Sequence, residues 1–151
     1  MSVFFNKIFI ACDHAGFEHK GYIISNIYKT YPNIIISDLG CNKSDISQDY
    51  PDYAKKLCNN LKACNKNKAM GILICGSGIG MSIVANRYSF VRAALCCNEK
   101  AAKLARNHNN ANVLCIGSRF CNKEQSLEMA NIFLSQDFEG GRHLTRVTKI
   151  S

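Results

Sequence analysis

Short apolar runs recur along the chain, and between them apolar residues return every three or four positions. The runs Lys7–Cys12, Ile34–Ser37, Ile72–Cys75, Val91–Cys97 and Val113–Gly117 are too short for helices and too continuously apolar for half-exposed strands. They predict strands buried on both faces. Lys20, Ile24, Ile27, Tyr28 and Tyr31 share one side of a helix that Pro32-Asn33 ends. Tyr50, Ala54, Leu57, Cys58 and Leu61 share one side of a second helix, with Pro51 suited to its first turn. A third helix starts near Met81. In a fourth, Asn98 is the expected cap and Glu99 lies in the first turn. Ala101, Leu104, Ala105 and His108 form its apolar stripe, which would turn the His108 imidazole inward. Lys123–Leu134 is the last long helix. Cys41–Gln48 reads as a polar loop, Asn65–Lys68 as a polar turn, and the chain from Glu139 onward as a glycine-hinged polar tail.

Strand and helix thus alternate five times with short connections. The expected fold class is α/β: a three-layer, doubly wound, five-stranded parallel sheet of Rossmann-like type, one domain over 1–151 with 139–151 as C-terminal tail. Ligands of such sheets sit beyond the C-terminal ends of the strands. Asp13 and His14 follow the first strand, Asp38 the second, Cys75 to Gly78 the third and Arg119 the fifth.

The densest signal is Cys75-Gly76-Ser77-Gly78-Ile79-Gly80, where a strand gives way to glycine at alternate positions and then to a helix. Such a turn tolerates positive φ and brings backbone N–H groups close to an anion. It is neither the dinucleotide fingerprint nor a P-loop, because the third glycine falls one position early and no Gly-Lys-Ser/Thr follows. Taken alone, Cys75 reads equally as a small core residue. Its place beside the turn and Ser77 favours the thiolate form and a chemical role. Asp13-His14 fits a helix cap as well as a ligand contact. Arg142 and Arg146 are four apart, and on a helix they would share a face able to clamp a phosphate.

Composition narrows the function. Hydrophobic residues make up 47% and charged residues 20%, ordinary values for a globular protein. No apolar run approaches the ~18 residues of a membrane span. The first residues have no basic n-region, so a cytoplasmic location is expected and no membrane partner. Nine cysteines, an odd number without C-x-x-C or zinc-ligand spacing, are expected to be reduced thiols. The net charge of +8 comes from lysines scattered among asparagines, with no aromatic-interleaved basic strand or DNA-binding motif. Nucleic acid is therefore not the expected partner. A small acidic molecule such as a phosphate ester is.

Seven segments, in order, resemble one family: Cys12-Asp13-His14-Ala15-Gly16, Asp49-Tyr50-Pro51-Asp52-Tyr53-Ala54, Gly71 to Gly80, Ala85-Asn86-Arg87, Arg106-Asn107-His108-Asn109, Gly117-Ser118-Arg119 and Glu139-Gly140-Gly141-Arg142-His143. The family is that of the type B ribose-5-phosphate isomerases, which includes galactose-6-phosphate isomerase subunits, and the resemblance spans roughly residues 7 to 149. It implies an aldose–ketose isomerase of the pentose phosphate pathway, working through an enediolate without metal or cofactor. It further implies a homodimer or dimer of dimers, with each active site shared between subunits and the tail at the interface. Cys75 corresponds to the base that moves a proton between C2 and C1, and His108 to the acid that helps open the sugar ring, with Asp13 nearby. Gly76, Ser77, Gly78, Ile79 and Gly80 correspond to the loop whose amides hold the enediolate. His14, Arg142 and Arg146 match phosphate contacts, and Tyr50, Asn109 and Arg119 match other positions lining the site. A second branch of the family carries glycine at the position of Cys75 and a glutamate at that of Met81; this chain matches the thiol branch. A six-carbon (allose or galactose 6-phosphate) isomerase and a non-catalytic sugar-phosphate-binding module remain as alternatives.

Overall fold

The computed structural model describes residues 3–64 and 68–150. Five parallel strands form one sheet: β1 (Lys7–Cys12), β2 (Ile35–Asp38), β3 (Ala69–Cys75), β4 (Ala93–Leu95) and β5 (Val113–Gly117), in the order β2-β1-β3-β5-β4. All residues of the central β3 are buried, and Ile72 stands in register between Ile10 and Leu114. Alternate side chains leave the sheet in opposite directions. Ile8, Ile10, Ile72, Ile74 and Ile116 meet α1 (Phe17–Thr30), α4 (Glu99–Asn109) and α5 (Lys123–Ser135) on one face. Phe9, Ala11, Leu73 and Cys115 meet α2 (Tyr50–Ala63) and α3 (Ile79–Ala85) on the other. This is the three-layer, doubly wound α/β architecture expected. β2 lies on one side of β1 and β3 on the other, so the connections leaving β1 and β3 diverge and open a crevice between their C-terminal ends.

Several details depart from the expected pattern. β2 and β4 are the sheet edges, and Ile35 is 58% exposed rather than covered on both faces. β4 keeps only three of the seven expected residues, because its one ladder, to β5, runs from Ala93 to Leu95. On α1 the seam passes through Lys20, Ile23 and Ile27, leaving Tyr28 exposed. Lys20 is buried because its Nζ donates to Asp38 Oδ1 at 3.0 Å and to the Cys41 carbonyl at 2.7 Å, so Asp38 holds the fold together at the end of β2.

On α4 the expected stripe is rotated. Ala102, Ala105, Arg106 and Asn107 are buried, Leu104 is exposed, and the His108 side chain is about one-third exposed rather than turned into the core. Arg106 takes the interior place: its guanidinium lies 4.7 Å from the Phe5 ring and 5.7 Å from Phe133, and it donates to the Gln136 and Ala111 carbonyls. Burial pulls its pKa down to about 10. The tail is ordered: Gly140 and Gly141, at φ 66° and 52°, turn the chain into α6 (Arg142–Val147), which packs on α4. Residues 65–67 of the expected Asn65–Lys68 turn lie outside the described residues.

Candidate active site

The end of β3 is held from the side. Ser118 N–H donates to the Cys75 carbonyl at 2.9 Å and Arg119 N–H to the Gly76 carbonyl at 3.0 Å, so β5 fixes the loop that follows β3. Gly78 sits at φ +73°, a conformation that side chains other than glycine rarely adopt. That turn aims the Gly78 N–H at the Cys75 sulfur, 3.1 Å away, and starts α3 at Ile79. Ile79 N–H donates to Ser77 Oγ at 3.2 Å, which closes the turn.

Asp13, His14, Tyr50, Cys75, Gly76, Ser77, Ile79, Gly80 and Arg119 line one open cleft of about 420 Å³, together with Ala15 and Ile83. Asp13 caps the single helical turn His14–Gly16, accepting from Ala15 N–H at 3.0 Å and Gly16 N–H at 3.3 Å. Burial raises its carboxyl above the usual range, against the pull of neighbouring His14. Asp13 is thus a cap, and both it and His14 line the cleft. His14 Nδ1 accepts from the Gln48 backbone N–H at 3.0 Å, which leaves Nε2–H as a donor. No signal in the sequence marks Gln48, since it acts through its backbone.

Two glycines here let side chains approach the loop closely. A Cβ on Gly80 would collide with the Tyr50 ring, and one on Gly76 would stand 2.8 Å from the Arg119 guanidinium carbon. Both side chains thus lie flat on the loop. Cys75 lines the cleft although only 4% exposed, and Met81 is fully buried.

Four expected residues stand elsewhere on the chain: His108, Asn109, Arg142 and Arg146. α4 runs back against the strands, so its last turn, carrying His108 and Asn109, lies near the start of β5, whereas Cys75 pairs with Gly117 at the other end. The five-residue β5 places these ends roughly 13 Å or more apart. His108 instead stacks on His143, with ring centroids 4.1 Å apart and planes 9° from parallel. Both Nε2 atoms lie 3.8 Å from Glu139 Oε2. Burial, and then the nearby His108 and Arg142, lower the His143 pKa. Asn109 lines a separate small cavity with Asn86, Arg92 and Ile150. Arg142 and Arg146 share α6, which places them four apart on a helix as the tail reading required. The nine cysteines are free thiols. Among the described residues no helix is long and apolar enough to cross a membrane.

The chain belongs to the ribose/galactose isomerase family, whose sequence profile matches residues 8–150. It is 45% identical over 144 residues to the probable ribose-5-phosphate isomerase B of Mycoplasma genitalium, covering 95% of this chain and 93% of that one. The structure of ribose 5-phosphate isomerase B from Anaplasma phagocytophilum superposes with a TM-score of 0.91 at 38% identity, covering all of both chains. The structure of the Mycoplasma genitalium ribose-5-phosphate isomerase B with bound ribulose-5-phosphate gives 0.89 at 44% identity, over 95% of this chain and 93% of that one.

Proposed function

We propose that the chain interconverts D-ribose 5-phosphate and D-ribulose 5-phosphate in the cytoplasm, as a homodimer or dimer of dimers whose clefts are each completed by the neighbouring subunit. The observation that carries this reading is the Gly78 N–H directed at the sulfur of Cys75, a residue that lines the cleft. A thiolate held there is a base for a carbon acid. The Gly76–Gly80 loop beside it corresponds to the family loop whose amides hold the enediolate, with the Gly78 and Ile79 amides engaged by the Cys75 sulfur and Ser77 Oγ.

His108 donates a proton to the ring oxygen and the Asp13 carboxylate takes the proton of the C1 hydroxyl as the C1–O ring bond breaks, giving the open-chain aldehyde. The Cys75 thiolate takes the proton from C2, and the bonding pair moves into the carbonyl to form the enediolate. A proton passes between O2 and O1, and the sulfur returns its proton to C1, giving the ketose. Each preorganised donor to the enediolate oxygens contributes ~2.7–4 kcal/mol, and the positioned base a factor of ~10²–10⁴. His14 Nε2–H, with Arg142 and Arg146 of the partner subunit, holds the phosphate, while Tyr50 and Arg119 wall the sugar. His108 and Asn109 act on the partner's cleft, because β5 separates them from their own.

The test is Cys75→Ala in a coupled assay with ribose 5-phosphate. Turnover is expected to fall at least ~10²-fold while the sugar phosphate still binds and the fold persists. Exchange of the C2 proton in D₂O is lost with it. Activity near that of the parent chain would remove the thiol from the mechanism. The six-carbon reading would gain only if kcat/KM were higher on allose or galactose 6-phosphate.

A further inference from the structure

Glu139 is braced at one oxygen and open at the other. Asn107 Nδ2 donates to Glu139 Oε1 at 2.8 Å, and Glu139 N–H donates to the Asn107 carbonyl at 3.0 Å. Oε2 is left facing two imidazoles, with Nε2 of His108 and Nε2 of His143 each 3.8 Å away. The three ligand atoms all lie within 4.8 Å of one another. The glycine pair between Glu139 and Arg142 creates the arrangement: φ values of 66° and 52° fold His143 back over Glu139 and against His108. No zinc-ligand spacing announces it, because His108 is 31 residues from Glu139.

We propose that His108, Glu139 and His143 bind one divalent transition-metal ion of the zinc class, and that occupancy withdraws His108 from proton transfer. The second half rests on the isomerase reading above. Two imidazoles and a carboxylate form a three-ligand zinc set with a fourth position open to solvent. Nitrogen donors select zinc, cobalt, nickel or copper over magnesium and calcium. Around a tetrahedral ion with bonds of ~2.0–2.1 Å, ligand atoms stand ~3.3 Å apart. Each 3.8 Å edge here therefore closes by about half an ångström, and the edge between the two imidazoles, at most 4.8 Å, by up to about 1.5 Å as the stacked rings tilt toward the carboxylate. Asn107 is the outer partner that orients the carboxylate, as such sites require. Arg142 and Arg146 oppose a dication, so the binding is reversible rather than structural. A metal on His108 Nε2 occupies the lone pair that carries the proton in catalysis, and turnover stops until the ion leaves.

Cobalt(II) titration of the purified protein, followed by its visible absorption, reads the site without substrate. One ion per chain is expected, with the visible d–d bands of four-coordinate cobalt(II) and no sulfur-to-cobalt band in the near ultraviolet. Glu139→Gln and His143→Asn should each weaken binding at least tenfold and raise the zinc concentration that halves turnover by the same factor. Binding unchanged in both variants, a sulfur band pointing to surface thiols such as Cys97, or no binding overturns the site. Binding at the site that leaves turnover intact overturns the inhibitory half. A chain that binds cobalt as described but never isomerises ribose 5-phosphate refutes the proposed reaction and leaves the metal site standing.

Discussion

Replacing Gly78 by alanine tests the loop geometry while leaving every reactive side chain in place. The native φ of +73° costs an alanine ~1–2 kcal/mol. The new methyl would also stand 2.6 Å from Leu95 Cδ1, 2.8 Å from the Ile116 carbonyl carbon and 3.0 Å from Gly117 N. Leu95 is half-exposed and can swing away, but Ile116 and Gly117 belong to the backbone of buried β5 and cannot. The loop itself has to lift, which draws the Gly78 N–H off the Cys75 sulfur. A hydrogen bond to a charged acceptor contributes ~1.5–3 kcal/mol. The expected loss of stability is therefore ~2.5–5 kcal/mol, read from urea unfolding. With loop amides displaced, kcat/KM on ribose 5-phosphate should fall ~10²–10³-fold. Gly140→Ala is the control for stability: its φ is +66° but nothing lies within 4 Å, so only strain of ~1–2 kcal/mol is expected. A Gly78→Ala protein within ~0.5 kcal/mol and ~3-fold of the parent would refute the reasoning about this turn.

Other outcomes follow from the same contacts. Burial pushes the Cys58 thiol up to about 11 and Cys96 to about 12, and it raises Cys12 and Cys115 as well. These folded values lie above those of the unfolded chain, so the unfolded state loses its protons first. Stability is thus fully present below pH ~8.5 and falls as pH rises, by ~1.4 kcal/mol per pH unit for each thiol kept neutral. A urea midpoint that stayed level to pH ~10 would contradict that. Asp13→Asn keeps an oxygen for the Ala15 and Gly16 amides and should hold its stability, whereas Asp13→Ala should lose ~0.5–2 kcal/mol. Equal unfolding midpoints for the two variants would argue against the cap.

The sheet was legible because its inner strands carry their own signal: IFIAC, ILIC and VLCIG are apolar throughout, as strands buried on both faces are. The edges were harder to read, since Ile35 and the residues around β4 look like core in sequence and have a neighbour on one side only. Helix faces were right where one apolar seam is available, as on α2, and rotated where a polar group is solvated from within. Arg106 lies inside because three phenylalanine rings and two carbonyls receive it, none of them near it in sequence except Ala111. The cleft residues follow strand ends and were legible from that rule. The Glu139–His143–His108 cluster was not, because a hinge at two positive-φ glycines brings its members together.

The claim on which the account depends is that Cys75 of one subunit works with His108 of the partner subunit. Cys75→Ala and His108→Asn, each nearly inactive alone, can be unfolded together and refolded as a mixture. In a two-fold dimer, half the molecules are then mixed, and one of their two clefts escapes both lesions, so about a quarter of the parent turnover should return. Turnover of the refolded mixture no greater than the sum of the two variants alone would contradict the shared site.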